Sequence, residues 1–557
     1  MNFRKKLSSF ILLTCLMFTF IFSLNVKADT ASIQAKSSIN SVQVTSDKNN
    51  IQVVADSSGD MSGTDGNFYL FELKSYNMSL EGRSDYLSKI PAGKSTTTVS
   101  LERGTANDRL YSAFVVAVHD GTKYVAVSEP HYVTNPEAVA QNTAAFNEPL
   151  TKKGLNIEIN MLADAFELGV KHVATNITFH QIMGEGIDYT YDGKTYSFSK
   201  AVMEGYDKTI SALSNKGMTV TAIILNGYNP NEPDLFQKGV KKTDVAAYYM
   251  FNAETQAGFE KTRAIAAFLA ERYNGKNSNY GKISNWIIGN EINNQYWNYL
   301  GDKDIYSYVR TYEKAFRLFY TAIKSTSAND RVYFSLDYNW NNPNEKNGKT
   351  KYGGKEIVDV FNSFTNAKGQ IQWGLAYHPY PFPMTEPEFW DDVSTGQFSD
   401  KEDSQVINFA NLNTLTNYFS KDELRTYDGH PRHIILTEQG FTATSATRGD
   451  VSELQAAAYA YSYYMVDSNP LIDAYILSRQ VDAPLEVRSG LSFGLWKCDM
   501  NVGDNIVATQ RRKIWAVFKN IDKKNSTLEN TEFAKSIIGI NKWSDVIPNF
   551  KWRALEK

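Results

Sequence analysis

Hydrophobic and polar positions follow two different patterns along the 557-residue chain. Within residues 29–141, apolar and polar residues alternate in short segments such as residues 51–55 and 68–73, which is the pattern of strands with one buried face. A His-Asp-Gly-Thr sequence at residues 119–122 separates two of these segments and predicts a β-hairpin. We therefore predict a small all-β sandwich, Ig-like or similar to carbohydrate-binding domains, over residues 29–141, with residues 134–149 as the linker.

Beyond residue 150, short apolar runs alternate with amphipathic segments of helical period. The candidate strands are residues 153–157, 172–179, 219–225, 283–288, 331–336, 372–376, 432–436 and 474–477. The candidate helices are residues 160–168, 200–215, 255–273, 305–325, 355–366, 408–419, 453–466 and 506–519. Eight strands and eight helices are the numbers of a (β/α)8 TIM barrel, which we predict for residues 150–557. A doubly wound open sheet is the alternative fold.

Polar residues follow nearly every candidate strand. In a TIM barrel these positions form the active site, because the carboxyl ends of all eight strands meet at one face. The residues at these positions are Asn176, His180, Asn226, Asn290, Glu291, Asp337, Asn339, His378, Tyr380, Glu438, Gln439, Arg479 and Gln480. A second hairpin, predicted over residues 188–199 around an Asp-Gly turn, would lie on the same face and wall one side of a groove.

The N-terminus has the pattern of a secretory signal peptide. Three basic residues at positions 4–6 precede an apolar run over residues 10–24, and Val-Lys-Ala at residues 26–28 is a cleavage site. The run is short for a membrane anchor, which is the alternative. A lipoprotein signal at Cys15 fits less well, because cleavage there would expose three apolar residues after the lipid. We expect residues 1–28 to be removed and the mature protein to be secreted, without a membrane anchor.

Charge and cysteine content exclude several classes of function. The signal carries four of the 58 basic residues and no acidic residue, which leaves 54 basic against 61 acidic residues in the mature chain. A mildly acidic protein without a basic tract is not built to bind nucleic acid. Once Cys15 is removed, Cys498 has no partner for an intrachain disulfide. No Cys/His spacing typical of zinc is present, so we predict neither a metal nor a cofactor.

Glu291 and Glu438 are the strongest candidates for a catalytic pair. Each directly follows a short apolar run, and cleavage of a glycosidic bond needs two carboxyl groups, one protonated and one ionised. Asp337 is a third candidate, although it also suits a hydrogen-bonding role. The chain has four Asn-Glu dipeptides, beginning at residues 147, 231, 290 and 344, and only Asn290 directly follows a candidate strand.

These features resemble clan A of the retaining glycoside hydrolases. Three segments, Leu-Gly-Val-Lys-His at 168–172, Gly-Asn-Glu at 289–291 and Thr-Glu-Gln-Gly-Phe at 437–441, are similar to a bacterial family catalogued as a domain of unknown function in that barrel superfamily. The resemblance covers the barrel and not the sandwich. It implies that Glu291, after the fourth strand, is the acid/base and that Glu438, after the seventh, is the nucleophile. It also implies that Asn290 binds the sugar 2-hydroxyl, and that Tyr380 or His378 orients the nucleophile, with Tyr380 favoured.

Aromatic residues are plentiful, with 33 Tyr, 31 Phe and 9 Trp, and such rings suit the flat faces of sugars as well as protein cores. Trp297, Trp340 and Trp496 are candidates for stacking on an oligo- or polysaccharide, and a core position is equally consistent for each. Arg479 could bind the carboxylate of an acidic sugar, since guanidinium matches that shape; pairing with Asp482 is the alternative.

We interpret the chain as a secreted retaining glycoside hydrolase, with transglycosylation as a variant of the same chemistry. A non-catalytic carbohydrate-binding or adhesin barrel is the first alternative, and the intact Glu pair argues against it. A metal-dependent hydrolase would need His-x-His or carboxylate–His clusters at strand ends, and the sequence pattern reveals none.

Overall fold

The computed structural model describes residues 33–523, 529–548 and 550. The predicted signal peptide, residues 1–28, lies outside the described residues. Within the described part of the chain, no helix has both the length and the apolar character that a membrane span requires.

The N-terminal part consists of two antiparallel sheets. Its strands are β1 (Lys36–Val44), β2 (Asn50–Ser58), β3 (Phe68–Leu73), β4 (Ser88–Ile90), β5 (Gly93–Ser100), β6 (Ala113–His119), β7 (Tyr124–Ala126) and β8 (His131–Tyr132). One sheet has the order β1-β2-β5, and the other has the order β4-β3-β6-β7 with β8 beside β6. Alternate residues of β2 and β6, including Ile51 and Val116, are buried in a shared core. The hairpin predicted at residues 119–122 is confirmed, because His119 pairs with Tyr124.

The remaining strands belong to the second part of the chain. They are β9 (Lys153–Asn156), β10 (His172–Thr178), β11 (Gly186–Tyr191), β12 (Lys194–Ser199), β13 (Thr219–Leu225), β14 (Asn285–Ile288), β15 (Arg331–Asp337), β16 (Trp373–His378), β17 (Ile434–Leu436), β18 (Thr444–Ser445), β19 (Gly449–Asp450), β20 (Ile472–Leu477), β21 (Trp496–Cys498) and β22 (Ala508–Arg511). Strands β9, β10, β13, β14, β15, β16, β17 and β20 form a closed parallel barrel, in which β20 pairs with β9. The predicted (β/α)8 barrel is therefore confirmed, and the open sheet is excluded.

Helices surround this barrel. They are α1 (Leu162–Leu168), α2 (Phe179–Ile182), α3 (Lys200–Ser214), α4 (Gln256–Arg272), α5 (Ile305–Lys324), α6 (Gly354–Ala367), α7 (Leu412–Phe419), α8 (Ser452–Asp467), α9 (Pro484–Arg488), α10 (Lys513–Asn520) and α11 (Glu532–Ile538). The helix predicted over residues 506–519 begins only at Lys513. Residues Ala508–Arg511 instead form β22, which pairs with β21, because the apolar stripe of α10 starts at Ile514.

Small and branched side chains fill the inside of the barrel. Residues from alternating strand positions, among them Ala174, Ile223, Ile287 and Ile435, form a separate buried cluster there. This packing leaves the barrel solid below its carboxyl end. Polar residues that follow the strands are consequently displayed at that end.

The hairpin predicted over residues 188–199 is present as β11 and β12. Its turn has positive φ at Asp192 and Gly193, as the Asp-Gly sequence predicts. The prediction that it walls the groove is wrong. Its apolar face packs on α4, where the rings of Phe198 and Phe268 stack at 3.8 Å, and Asp192 forms an ion pair with Arg263 of the same helix.

The sandwich packs on the outside of the barrel. The guanidinium of Arg317 in α5 lies 4.9 Å from the ring centre of Tyr132, and the Ser75 hydroxyl donates to the carbonyl of Ala253 over 2.6 Å. The residues that line the main pocket of the barrel all come from the second part of the chain. Among the residues that the structure describes, the sandwich therefore contributes no side chain to that pocket.

Candidate active site

A pocket of about 510 Å³ lies at the carboxyl ends of the barrel strands. Nine of the residues predicted from the sequence line it. They are Asn176, Asn290, Glu291, Trp297, Asp337, Asn339, Tyr380, Glu438 and Arg479. These residues lie near the carboxyl ends of six different strands, so closure of the barrel is what brings them together.

The backbone of Glu291 is held in an unusual conformation just after β14. Its φ is +36°, in the left-handed region that costs a non-glycine residue about 1–3 kcal/mol. Ser335 stabilises this turn, because the Glu291 N–H donates to the Ser335 hydroxyl over 2.8 Å and the Ile292 N–H donates to the Ser335 carbonyl over 3.0 Å. The carboxyl of Glu291 is thereby fixed at the pocket, with 13% of the side chain exposed.

Glu291, His378 and Glu438 meet at the floor of the pocket. One carboxyl oxygen of each glutamate and one ring nitrogen of His378 all lie within 4.8 Å of one another. His378 is the last residue of β16 and is fully buried. Its Nδ1 lies 2.8 Å from Oε1 of Glu291 and 3.9 Å from Oε2 of Glu438. Its Nε2 is 3.0 Å from the hydroxyl of Thr437, which fixes the ring.

Burial shifts the pKa of all three groups. It raises the pKa of Glu291 to about 7, and the indole of Trp297 acts in the opposite direction. Burial also raises the pKa of Glu438, but there His378 and Arg479 oppose the rise. The pKa of His378 is lowered by burial, so its imidazole is neutral at neutral pH. Glu291 is therefore protonated more readily than an ordinary glutamate.

Asp337 lines the same pocket, but its oxygens are bonded within the protein. Oδ1 accepts from the side-chain amide of Asn293 over 2.6 Å and from the backbone N–H of Asn339 over 2.8 Å. Oδ2 accepts from the Asn339 amide over 3.2 Å. Burial, followed by the nearby Glu291, raises the pKa of Asp337 to about 6. Its hydrogen bonds give Asp337 the role of holding the loop after β15.

The residue in contact with the carboxyl pair is His378, not Tyr380. The favoured orienting contact from Tyr380 is corrected here, because its hydroxyl lies 2.8 Å from the hydroxyl of Ser478 instead. Tyr380 follows the end of β16 by two residues, and its ring centre lies 5.7 Å from that of Phe493. It remains near the nucleophile candidate, because Glu438 adds to the burial that raises the pKa of Tyr380.

Four other predicted residues lie outside the pocket lining. For Asn226 and Trp340 the predicted substrate contact is wrong, because both side chains are buried and bond to loop carbonyls, whereas for the partly exposed Trp496 and His180 it stays a prediction. Asn226 is buried and donates to the carbonyls of Leu235 and Met250. Trp340 is buried and donates to the carbonyl of Glu402. Trp496 donates to Asp164 of α1 over 3.0 Å. His180 packs so closely on the backbone of Gly227 that a Cβ there would lie 1.9 Å from its Nδ1.

Arg479 lines the pocket and has a carboxylate partner of its own. Its guanidinium binds both oxygens of Glu486, with Nε at 2.9 Å from Oε2. The alternative prediction that Arg479 pairs with Asp482 is wrong, because Asp482 forms a buried ion pair with Arg512 over 2.6 Å.

Several pocket residues could not be found from strand ends. Tyr248 faces Trp297 with ring centres 6.2 Å apart and planes inclined by 24°, and Glu486 and Phe493 also line the pocket. Tyr248 and Phe493 lie in loops and Glu486 lies in the short helix α9, all several residues beyond the end of the preceding barrel strand. Local aromatic clustering, as in the Tyr-Tyr-Met-Phe sequence at 248–251, is the only sequence signal for Tyr248.

The cluster of Glu291, His378 and Glu438 also has the donor set of a metal site. The sequence pattern did not reveal this carboxylate–His cluster, because its members are distant in the chain. Nδ1 of His378 is engaged with Glu291 at hydrogen-bond distance, which a shared proton accounts for.

Comparisons with known proteins give one family and a set of similar folds. The family described as "Family of unknown function (DUF5722)" matches residues 145–546. A search of curated proteins gives no match. Similar solved structures include a family 39 glycoside hydrolase from Bacteroides cellulosilyticus, with 14% identity, TM-score 0.44 and coverage of 86% of this chain and 82% of that one. A family 1 β-glucosidase from Thermotoga maritima has 15% identity and TM-score 0.41, with coverage of 66% of this chain and 86% of that one. A Bacteroides uniformis β-glucuronidase has 10% identity and TM-score 0.35, with coverage of 87% of this chain and 49% of that one.

Proposed function

The chain belongs to the DUF5722 family of unknown function, and we propose that it is a secreted, retaining O-glycoside hydrolase that cleaves an oligo- or polysaccharide. The observation that carries this proposal is the pair Glu291 and Glu438, of which one carboxyl oxygen each lies within 4.8 Å of the other at the floor of the pocket. Retaining enzymes hold their carboxyl groups about 5–5.5 Å apart, whereas inverting enzymes need about 6.5–9.5 Å to admit a water molecule. The short separation supports a double displacement.

In the first step, the ionised Glu438 attacks the anomeric carbon. The bond from that carbon to the leaving oxygen breaks, and the proton of Glu291 passes to this oxygen. The product is a glycosyl ester on Glu438, and Glu291 is left ionised. In the second step, Glu291 takes a proton from water, whose oxygen attacks the anomeric carbon. The ester bond breaks, both carboxyl groups return to their starting states, and the two inversions together retain the anomeric configuration.

The electrostatics of the pocket support this division of roles. Glu291 is held near a pKa of 7 by burial, so it carries a proton under mildly acidic conditions. Burial raises the pKa of Glu438 as well, but there His378 and Arg479 oppose the rise, while Glu291 and Glu486 add to it. A proton donor and a nucleophile need this difference between two otherwise identical side chains.

The remaining lining residues are suited to holding a sugar. The amides of Asn290 and Asn176 face the pocket beside the carboxyl groups, and we assign Asn290 to the sugar 2-hydroxyl. The rings of Tyr248 and Trp297 form one wall, and Phe493 with Tyr380 forms another. Such rings pack on the apolar faces of sugars.

Trapping of the glycosyl ester is the direct test. A panel of 2-deoxy-2-fluoro glycosyl fluorides covering common sugars and both anomers is incubated with the protein, and labelled peptides are identified by mass spectrometry. We expect one label per chain, on Glu438. A label on another residue would overturn the assignment of the nucleophile. Absence of any label across the panel would favour a non-catalytic barrel. Sugar acceptors added to the trapped ester would reveal transglycosylation as a faster release than with water alone.

A further inference from the structure

The charge of the pocket is unevenly distributed. Among the described residues that line it, five carry carboxyl groups and one carries a basic group, Arg479. The five are Glu291, Asp337, Glu345, Glu438 and Glu486. Even when Glu291 is protonated, the lining has more negative than positive groups. A carboxylate on the substrate would therefore be repelled.

The one basic group is already neutralised. The Nε of Arg479 donates to Oε2 of Glu486 over 2.9 Å and to Oε1 over 3.1 Å, and Nη2 donates to Oε1 as well. This is the two-pronged geometry in which guanidinium binds carboxylates best. Glu486 therefore occupies the edge of Arg479 that a sugar carboxylate would use, and it cancels the positive charge.

The rest of the guanidinium remains able to donate hydrogen bonds. Arginine has five N–H groups, and the contacts with Glu486 use the Nε group and one on Nη2. The pair is partly open to the pocket, with 34% of the Arg479 side chain and 28% of the Glu486 side chain exposed. The free N–H groups suit hydroxyl oxygens, which accept a hydrogen bond without adding charge.

We propose that Glu486 is a specificity-determining residue, which holds and neutralises Arg479 so that the pocket accepts an uncharged sugar and rejects the corresponding uronic acid. This inference rests on the proposed glycosidase function. In it, Glu486 acts as a positioning residue through Arg479 and does not touch the reacting atoms. Removal of the Glu486 charge would release a cation into the pocket beside the nucleophile.

The test compares matched pairs of 2-fluoro glycosyl fluorides that differ only at C6, such as glucosyl and glucuronyl, or galactosyl and galacturonyl. The rate of labelling of Glu438 is measured by mass spectrometry for each member. We expect the wild-type protein to react at least about 100-fold faster with the neutral member than with its uronic acid. In Glu486→Gln, which keeps the shape of the side chain and one acceptor oxygen but removes the charge, this ratio is expected to fall at least about tenfold. Glu486→Asp retains the charge and is expected to retain most of the ratio.

Glu167→Gln is the matched control, because Glu167 pairs with Arg511 over 3.2 Å away from the pocket lining. Its ratio is expected to equal that of the wild type. Equal or faster labelling of the wild type by a uronic acid would overturn the inference and leave the glycosidase function standing. An unchanged ratio in a folded Glu486→Gln, checked by its thermal unfolding, would overturn the role of Glu486. Failure of every member to label would overturn the glycosidase function and the inference with it.

Discussion

Nδ1 of His378 lies 2.8 Å from Oε1 of Glu291, in a position from which water is excluded because the imidazole is fully buried. Neutral imidazole has one donor and one acceptor nitrogen. When Glu291 carries its proton, it donates to Nδ1, and Nε2 donates to Thr437. When Glu291 is ionised, Nδ1 donates to it, and Nε2 accepts from the Thr437 hydroxyl. A single neutral ring can therefore bond to Glu291 in both protonation states.

Replacement of His378 by Ala is expected to lower kcat/KM about 100-fold, because the acid loses the partner that holds it. The loss should depend on the leaving group. Substrates whose leaving group is a strong acid, such as dinitrophenol, need little protonation and should lose less than alkyl or sugar leaving groups. This dependence separates a role in proton transfer from general structural damage.

His433→Ala is the control for this variant. His433 is a half-exposed histidine at the opposite end of the barrel, where it pairs with Asp473 over 2.6 Å. Its removal is expected to leave kcat/KM unchanged. A His378 variant that loses the same factor on all leaving groups would contradict the role of His378 beside the acid.

Azide should distinguish Glu291 from Glu438 by stereochemistry. In Glu438→Ala, activity is expected to fall at least about 10⁴-fold, and azide that enters the vacated space should attack the anomeric carbon directly, giving an inverted glycosyl azide. In Glu291→Ala, the ester on Glu438 still forms from activated substrates. Azide then attacks this ester from the side of the missing acid, and the glycosyl azide has retained configuration.

The two products can be told apart by the anomeric coupling constant in a proton NMR spectrum. Asp337→Ala is the control, because Asp337 lines the same pocket with both oxygens bonded to the protein. It should give no glycosyl azide of either configuration. Retained azide from the Glu438 variant would reverse the assigned roles.

The barrel and the carboxyl pair were predictable because each depends on a local signal. An apolar run that ends in a polar residue marks a barrel strand, and Glu291 and Glu438 directly follow such runs. The order of the strands then places both residues at one face. Trp340 and Asn226 show the limit of this approach, because a polar or aromatic residue just after a strand can equally turn inward to bond loop carbonyls.

The pocket residues that lie outside the strand ends could not be predicted, for a physical reason. Glu486 and Tyr248 reach the pocket from segments whose path depends on packing with other loops, and no period in the sequence encodes that path. The choice between His378 and Tyr380 depended on which side chain bonds to Glu291 and which to Ser478, and the sequence pattern does not express such contacts. Contacts between such residues become visible only when the barrel is closed.

The pH dependence of activity should report Glu291. Its pKa is raised to about 7 by burial, and the first step needs its proton, so kcat/KM is expected to fall about tenfold per pH unit above pH 7. The acidic limb should lie above the ordinary glutamate value of 4.5, because burial raises the pKa of Glu438. With a dinitrophenyl glycoside, which needs no acid, Glu291→Gln should lose the basic limb. A basic limb that persists in this variant would mean that the titration of a group other than Glu291 causes it.

Removal of metal ions should leave the activity intact. The proposed chemistry uses protons and a carboxylate nucleophile, although Glu291, His378 and Glu438 together have the donor atoms of a metal site. Prolonged dialysis against EDTA, followed by assay in metal-free buffer, is expected to change kcat by less than about twofold. Loss of activity that returns with one equivalent of a divalent ion would instead favour a metal-dependent hydrolase on the same barrel.

Burial of Glu291 should also affect stability in a pH-dependent way. Its pKa is about 7 in the folded protein, against an ordinary value of 4.5. Between these pH values the folded state keeps a proton that the unfolded chain has released, so stability falls as pH rises from about 4.5 to 7, by on the order of 3 kcal/mol in total. Glu291→Gln carries no charge at any pH. It is therefore expected to be more stable than the wild type at pH 8 and about equally stable at pH 4, as measured by thermal unfolding. An equal change in stability for Glu291→Gln at both pH values would contradict the buried, proton-holding state of the acid.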